Sequence, residues 1–394
     1  MNKLIKYTGY LLFLPLWWIQ YLIPRNKNVW VFGAWYGDRF SDNSRYLFDF
    51  VRKNHPEIKA IWVTRDKAIR DKVTQLGGRS YLTNSLRGIY YSLMAKNVMV
   101  SSGKRDVNFL CINGANWIHL WHGNPLKKIG LDDKFSNINA TFQRRIIPVL
   151  FPFVCEFNYD YVVSNGPAFT NEMASAFNMP LARIWETGCP RNDVFYSDKT
   201  DAFNDGLRAR FKDCKLIYYL PTFRSHHATK SLFTLDDYNL EALESFLEKE
   251  NMVFVSKGHY VDNQLNSHAP NPDSRLVNLS DENVSEINFM FKDADLLITD
   301  YSSAYFDFLL TQKPIVFAAF DLEEYLAASR EMYFEYTDII AGPVAKTWEQ
   351  LFYALGNVWS DPKYRLLLKE KNAVFNKYHD AHNSRRVFEA LSGL

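Results

Sequence analysis

A histidine lies among two lysines, a glycine and a proline at residues 121–128, which read Trp-His-Gly-Asn-Pro-Leu-Lys-Lys. The segment follows an apolar run at 117–120 that is typical of a β-strand. An imidazole titrates near neutral pH, so His122 could take a proton from an attacking hydroxyl. Lys127 and Lys128 could hold a phosphate by charge without bonding to it covalently. A packed or solvated loop histidine fits this short segment equally well.

A second histidine has similar neighbours in the other half of the chain, where Lys-Gly-His-Tyr occupies residues 257–260 after a predicted strand at 253–256. Lys257 and His259 could neutralise the charge that develops on a pyrophosphate during group transfer. The motif is weak alone and gains weight from its counterpart at His122. We therefore predict that two imidazoles from opposite halves of the molecule act on one diphosphate.

A pair of serines lies where a third predicted strand, at 296–299, is followed by a predicted helix at 304–311. The sequence between them is Asp300-Tyr301-Ser302-Ser303. Free backbone N–H groups and hydroxyls at a helix N-terminus can receive a phosphate. The alternative is that Asp300 or Ser302 only caps the helix, and the two roles are compatible.

Two arginines closely follow predicted strands, Arg191 in Gly-Cys-Pro-Arg-Asn-Asp and Arg224 in Leu-Pro-Thr-Phe-Arg. The fork of a guanidinium group matches the oxygens of a phosphate. Ordinary surface ion pairing is the alternative for both. On either reading, charged side chains collect at the carboxyl ends of strands, where ligands bind in open α/β sheets.

Several classes of protein are excluded by what the sequence lacks. It has no GxxxxGK[ST] loop, no GxGxxG after the first strand and no GxSxG elbow. The four cysteines have no CxxC spacing, which fits a reducing compartment and no zinc site. The net charge of +2 provides no basic field to recruit nucleic acid. His226 and His227 lack a convincing third ligand, so no metal site is assigned.

Short β-branched or aromatic runs alternate with longer amphipathic stretches, which is typical of βα units that build parallel sheets. Predicted strands lie at 29–32, 60–63, 98–101, 117–120, 159–163, 184–187, 216–220, 253–256, 276–279, 296–299 and 315–317. A polar segment at 197–205 marks a domain boundary near mid-chain. The length of 394 residues also suits two domains. We therefore predict an α/β protein with two open domains.

The first residues form an uncharged aromatic stretch at 7–23, with lysines before it and Arg25 and Lys27 after it. Pro15 is expected to break a helix midway, and the stretch is barely long enough to span hydrocarbon. Tryptophan and tyrosine prefer the interfacial layer of a bilayer. Lying in that layer is the favoured interpretation, with packing on the protein, a true span and export as alternatives.

Six motifs occur in order along the chain: WHGNPLKKIG, GCPRND, YLPTFR, KGHY, DLLITDYSSAYFDFLLTQKPIVF and HNSRRVFEAL. Together they resemble the CDP-glycerol glycerophosphotransferase family, the teichoic-acid primases and polymerases. The resemblance extends back through residues 33–50. It implies a GT-B-like fold with two Rossmann-like domains facing a central cleft. The expected regions are a hydrophobic leader at 1–24, an acceptor-side domain at 25–200, a CDP-donor domain at 206–369 and a helix returning to the first domain at 370–394.

The resemblance also implies roles for individual residues. His122 is expected to activate the acceptor hydroxyl and His259 to stabilise the donor phosphates. The side chains expected around the pyrophosphate are Arg224, Lys257, Asp300, Ser302 and Ser303. Those expected to position acceptor or phosphate are Asn124, Lys127 and Arg191. The family usually has threonine where Asn124 stands, so the acceptor loop differs in detail.

The implied reaction transfers glycerol phosphate from CDP-glycerol to a hydroxyl of a lipid-linked teichoic-acid-like or capsular polymer, at the cytoplasmic face of a bacterial membrane. CDP-glycerol is the expected donor, and a divalent cation could accompany its pyrophosphate. The alternatives are a CDP-ribitol transferase, a GT-B enzyme that uses a nucleotide sugar, and a membrane-bound scaffold without activity. Fold alone does not distinguish these donors.

Overall fold

The computed structural model describes residues 3–134, 150–151, 153, 157–222, 231–256, 273–279, 286–328 and 331–394. The chain divides into two compact units. Unit 1 contains Met1–Gly123, Ile129–Asp193 and Asp380–Leu394, and unit 2 contains Asn124–Lys128 and Val194–His379. The chain therefore leaves unit 1 directly after the His122-Gly123 pair, contributes five residues to unit 2, and returns.

Unit 1 is built on a seven-stranded sheet in the order β3-β2-β1-β4-β5-β6-β7. Its strands are β1 Asn26–Gly33, β2 Lys59–Thr64, β3 Arg79–Leu82, β4 Ala95–Val100, β5 Asn116–His119, β6 Tyr161–Ser164 and β7 Ile184–Glu186. All neighbouring pairs are parallel. Most of these strands read as near-continuous apolar runs because parallel sheets are buried on both faces. Sequence reasoning missed β3, which is short and begins with an arginine.

Unit 1 also contains the helices α1 Lys3–Ile19, α2 Asp42–Asn54, α3 Lys67–Gln75, α4 Leu86–Met94 and α5 Pro167–Phe177. Leu47 and Phe48 of α2 are buried against Trp30, Phe32 and Trp62 of the sheet. This apolar layer fixes α2, and with it the polar residues at its N-terminus.

Helix α1 runs uninterrupted through Pro15, so the expectation that this proline breaks the helix is wrong. The missing N–H would have bonded to the carbonyl of Leu11, and Leu11 is exposed, so that carbonyl can be solvated instead. Trp17 is buried, with its ring 5.5 Å from that of Phe153. Gln20 donates to the Leu110 carbonyl at 2.8 Å. Within the described residues, no helix combines the length and apolar character needed to cross a bilayer.

Unit 2 is built on a six-stranded sheet in the order β10-β9-β8-β11-β12-β13. Its strands are β8 Lys215–Leu220, β9 Met252–Ser256, β10 Leu276–Asn278, β11 Leu296–Thr299, β12 Ile315–Ala318 and β13 Val344–Ala345. Every neighbouring pair is again parallel. The predicted α/β class with two parallel sheets is therefore confirmed. Sequence reasoning missed only β13 here, a strand of two residues.

The helices of unit 2 are α6 Ala202–Arg210, α7 Leu240–Lys249, α8 Ile287–Asp293, α9 Ala304–Phe308, α10 Leu322–Ala328, α11 Tyr336–Ile339, α12 Trp348–Asn357 and α13 Pro362–Phe375. Trp348 of α12 is buried, and its indole N–H donates to the Leu232 carbonyl at 2.6 Å. Leu243 and Leu247 of α7 join the same core. One face of the sheet is thus closed by α7 and α12.

The last helix, α14 Asn383–Ser392, belongs to unit 1. Its first turn is capped by Asp193, whose carboxylate accepts the backbone N–H groups of Asn383 at 2.8 Å and Ser384 at 2.9 Å. Val387 is buried in the core of unit 1. The chain rejoins unit 1 at Asp380, and residues 370–379 of the expected returning segment lie in unit 2.

Candidate active site

His122 lies three residues beyond the end of β5 in unit 1. Its Nδ1 is 2.9 Å from the carbonyl oxygen of Ser101, the residue after β4. A carbonyl can only accept a hydrogen bond, so Nδ1 must carry the hydrogen. In the neutral ring this leaves the lone pair on Nε2. The side chain is half-buried, and it has the tautomer that a general base acting through Nε2 requires.

Aromatic rings surround this imidazole. The Trp121 ring centroid lies 4.2 Å from that of His122, and the Trp35 centroid lies 5.4 Å away. A second histidine, His119, is buried behind them, and its Nδ1 accepts the Trp121 backbone N–H at 3.0 Å. Burial lowers the pKa of His119 well below its usual range, and the nearby His122 lowers it further. His119 therefore stays neutral.

Backbone strain is concentrated around His122. Trp35, Tyr36, Asp42 and Trp121 all have left-handed backbone conformations, with φ of 48°, 59°, 65° and 58°. Such conformations cost non-glycine residues roughly 1–3 kcal/mol each, and they persist where the surrounding structure enforces them. They cluster in functional sites more often than elsewhere. The cluster is consistent with the chemistry expected of His122.

Two polar residues brace the backbone that carries His122. The Asn43 side-chain amide donates to the carbonyls of Leu120 at 3.0 Å and Trp121 at 2.9 Å. Arg191 Nη1 donates to the His122 carbonyl at 2.6 Å and to the Asp42 carboxylate at 3.1 Å. The structure thus brings the predicted site residue Arg191 to His122.

Asp42 and Asn43 were missed by sequence reasoning. Both lie at the start of α2, within residues 33–50, where the family resemblance was noted without a role for either residue. The Arg191–Asp42 pair is nearly enclosed, with side-chain exposures of 11% and 7%. A buried pair of this kind costs desolvation and holds geometry only while both partners are present. The signal available in advance was the run Ser-Asp-Asn before an amphipathic helix.

The segment Asn124–Lys128 packs within unit 2. Lys128 donates its backbone N–H to the Glu331 carbonyl at 2.8 Å, and its Nζ lies 2.5 Å from the Glu331 carboxylate. Lys127 places its Nζ 4.9 Å from the centroid of the Tyr325 ring. Asn124 is buried. Of the two lysines that the sequence offered for phosphate, Lys128 is paired with a carboxylate.

Asp300 joins the carboxyl ends of two adjacent strands in unit 2. Its Oδ1 accepts the backbone N–H and the hydroxyl of Thr222, both at 2.7 Å, and the Tyr301 N–H at 2.5 Å. Strands β8 and β11 are neighbours in the sheet, so Asp300 ties the loop after one to the loop after the other. Ser302 accepts the Ala304 N–H at 3.3 Å, and Ser303 is half-buried beside it. The helix that follows, α9, is shorter than predicted and continues as a 3₁₀ turn, Leu309–Thr311.

Three of the predicted site residues, Arg224, Lys257 and His259, lie outside the described residues. The strands that precede them, β8 and β9, end at Leu220 and Ser256. In the part of the chain that the structure describes, no group of three or more histidine, cysteine, aspartate or glutamate side chains could hold a metal ion.

A sequence model of the CDP-Glycerol:Poly(glycerophosphate) glycerophosphotransferase family matches residues 16–393. The chain belongs to this family. The match covers both sheets, the bracing residues around His122 and the returning helix α14. The resemblance drawn from the six motifs is confirmed, and the protein is a transferase of the glycerophosphotransferase type.

Relatives of this glycerophosphotransferase support the assignment over its whole length. A teichoic acid glycerol-phosphate transferase of Staphylococcus aureus is 26% identical, and the aligned region covers 99% of this chain and 98% of the relative. A teichoic acid ribitol-phosphate primase of Bacillus spizizenii is 26% identical, with coverage of 95% and 93%. The structure of a variant of the wall teichoic acid polymerase TagF has a TM-score of 0.76 at 24% identity, and the match covers 94% of this chain and 89% of that chain. That likeness supports the GT-B-like fold.

Proposed function

We propose that this family member transfers glycerol phosphate from CDP-glycerol to a hydroxyl of a membrane-linked, teichoic-acid-like or capsular acceptor and releases CMP. The observation that carries the proposal is the hydrogen bond from His122 Nδ1 to the Ser101 carbonyl. It leaves Nε2 as a proton acceptor at the carboxyl end of β5, where ligands of open α/β sheets bind.

The acceptor oxygen attacks the β-phosphorus of CDP-glycerol and forms the new phosphoester bond. The anhydride bond to the α-phosphate breaks, and CMP leaves with its electron pair. His122 Nε2 takes the acceptor proton as the bond forms. Catalysis of phosphoryl transfer depends mainly on positioning and on neutralising charge.

The charge on the donor is proposed to be met by residues of the second half of the chain. His259 and Lys257 face the pyrophosphate in this proposal, together with Arg224, Ser302 and Ser303. Asp300 holds the loops after β8 and β11 together, since it accepts hydrogen bonds from Thr222 and Tyr301. Asn124, Lys127 and Arg191 position acceptor or phosphate. Chelation of divalent cations during assay tests whether a metal accompanies the pyrophosphate.

A donor screen tests the reaction. We expect CMP release with CDP-glycerol and a product heavier by one glycerol phosphate, as measured by mass spectrometry. CDP-ribitol is the specific alternative because a relative of similar identity and coverage is a ribitol-phosphate primase. UDP-sugars test the nucleotide-sugar alternative through UDP release. If every donor remained intact in the presence of a lipid-linked acceptor, the scaffold alternative would replace the proposed enzyme.

Helix α1 is proposed to dock on the cytoplasmic face of the membrane. One side of the helix and of the turn after it packs on the rest of unit 1, as Trp17 and Gln20 show, while large apolar side chains on the other side are exposed. They are Leu11, Leu12, Leu16, Trp18, Ile19, Tyr21 and Leu22. Lys27 follows and suits anionic headgroups.

Substitution of Leu12, Leu16 and Trp18 by serine is expected to lower binding to phosphatidylglycerol vesicles by at least about 10³-fold, because each of the three side chains contributes about 1.5–3 kcal/mol when it is buried in lipid. Vesicle sedimentation measures this binding. The triple variant is preferable to deletion of residues 1–24, which would also remove the packing of Trp17. The matched control replaces Leu76 and Leu181, which are exposed at 51% and 54% elsewhere in unit 1. Undiminished sedimentation of the triple variant would show that another surface binds the membrane.

A further inference from the structure

The turn that follows β4 is organised by one buried carboxylate. Asp106 is fully buried. Its Oδ2 accepts the backbone N–H groups of Ser101 at 2.9 Å, Ser102 at 2.7 Å and Gly103 at 3.3 Å. Its Oδ1 accepts the Tyr36 N–H at 2.7 Å. Four donors from two loops therefore converge on a single side chain, which fixes the path of both loops.

This turn presents the group that holds His122. The Ser101 carbonyl accepts the Nδ1–H of His122. The Ser101 hydroxyl is 2.7 Å from the Ser44 hydroxyl, and the Ser44 N–H donates to it at 3.1 Å. The N–H, the hydroxyl and the carbonyl of Ser101 are thus all engaged, and Asp106 anchors the first of them. Displacement of the turn would release the His122 ring from the one acceptor that selects its tautomer.

A second route leads from Asp106 to the same ring. Tyr36, which donates to Oδ1, is one of the left-handed residues, and its neighbour Trp35 contacts the His122 ring at 5.4 Å between centroids. The backbone at Gly33 lies close to the backbone of Asp106. Only glycine fits there, because a Cβ at residue 33 would lie 2.2 Å from the Asp106 carbonyl oxygen. Asp106 therefore acts on the His122 imidazole through two of the ring's neighbours. One is the Ser101 carbonyl, which accepts the Nδ1–H, and the other is the Trp35 ring.

We propose that Asp106 is a positioning residue that fixes the tautomer and orientation of His122 without touching the substrate. This inference rests on the proposed role of His122 as the base. An ionised carboxylate suits the arrangement because it offers only acceptors to its four donors. An asparagine amide would direct two hydrogens at some of those N–H groups, so Asp106→Asn changes the charge and the hydrogen-bond pattern while preserving the shape.

Asp106→Asn is expected to lower kcat by about 10²-fold, the size of effect that a displacement of about 1 Å produces in a catalytic group. The KM for CDP-glycerol should stay unchanged. The His122 ring should change from the Nδ1–H tautomer to a mixture of tautomers. ¹⁵N NMR of histidine-labelled protein measures this change, and comparison with His122→Gln assigns the His122 signals. The matched control is Asp160→Asn. Asp160 also accepts a backbone N–H, that of Trp117 at 2.8 Å, but at the amino ends of β5 and β6, the opposite edge of the same sheet.

An unchanged kcat in Asp106→Asn would overturn the proposal, and so would a lower kcat with a single retained Nδ1–H tautomer, which would indicate a general structural role. Should Asp106→Asn not fold, Ser44→Ala provides the test, since it removes only the hydroxyl contact to Ser101. Ser44→Ala is expected to lower kcat and to mix the His122 tautomers, each to a smaller extent than Asp106→Asn. The absence of both changes would overturn the proposal. A mixed tautomer in Asp106→Asn together with normal turnover in His122→Ala would refute the base assignment alone.

Discussion

Replacement of His122 by alanine is expected to lower turnover by about 10²–10⁴-fold, the contribution of a positioned general base. The acceptor hydroxyl would then lose its proton to water, because the other nearby imidazole, His119, is buried and its Nδ1 already accepts the Trp121 N–H. CMP release under saturating donor and acceptor measures the change. Binding of CDP-glycerol should persist, since the proposed role of His122 concerns the acceptor.

The control for this variant is His382→Ala, which removes an exposed histidine of unit 1 at the start of α14. Its turnover should match that of the unaltered enzyme. The resemblance predicts a comparable loss for His259→Ala, with weaker donor binding as an added effect. Near-normal turnover of a folded His122→Ala protein would refute the assignment of the base.

Arg191→Ala is expected to reduce the free energy of unfolding by about 3–5 kcal/mol, because Asp42 would keep a buried charge without its cationic partner. Turnover should fall as well, since the same guanidinium donates to the His122 carbonyl. Denaturant unfolding and CMP release measure the two effects separately. Arg191→Ala therefore tests whether one ion pair both stabilises unit 1 and holds the base.

The double variant Asp42→Asn with Arg191→Met separates these effects. Removing both charges should restore much of the lost stability, because no buried charge is left unpaired. Turnover should remain low, since methionine cannot donate to the His122 carbonyl. As a control, Arg385→Ala breaks the exposed pair with Glu389 and should change neither quantity appreciably. Full recovery of turnover in the double variant would show that Arg191 does not position His122.

Both predictions concern residues that the chain supplies from distant positions. Asp42 lies at the start of α2, Arg191 follows β7, and His122 follows β5. The unit 1 sheet brings these three ends together because all its strands are parallel and point their carboxyl ends the same way. The geometry around His122 is therefore a property of the sheet order, and the strained residues Trp35 and Trp121 lie at the same edge.

Local sequence patterns were enough to predict most strands of the two sheets, the α/β class, the family and the place of His122. Apolar runs bounded by turn residues are a local signal, and residues directly after a parallel strand lie at its carboxyl end whatever the sheet order. Six short motifs in a fixed order specify the family. The two strands that were missed, β3 and the two-residue β13, have weak local signals.

The long-range partners of the polar side chains could be read only from the folded chain. Asp106 bonds to Tyr36, Arg191 to Asp42, and Lys128 to Glu331. The partners in each pair come from separate segments of the chain, and hydrogen bonds and ion pairs form wherever the fold brings donor and acceptor within about 3 Å. The spacing of these residues in the sequence therefore does not predict which of them pair. The tautomer of His122 was fixed in the same way, by the carbonyl of Ser101, the residue after the neighbouring strand β4.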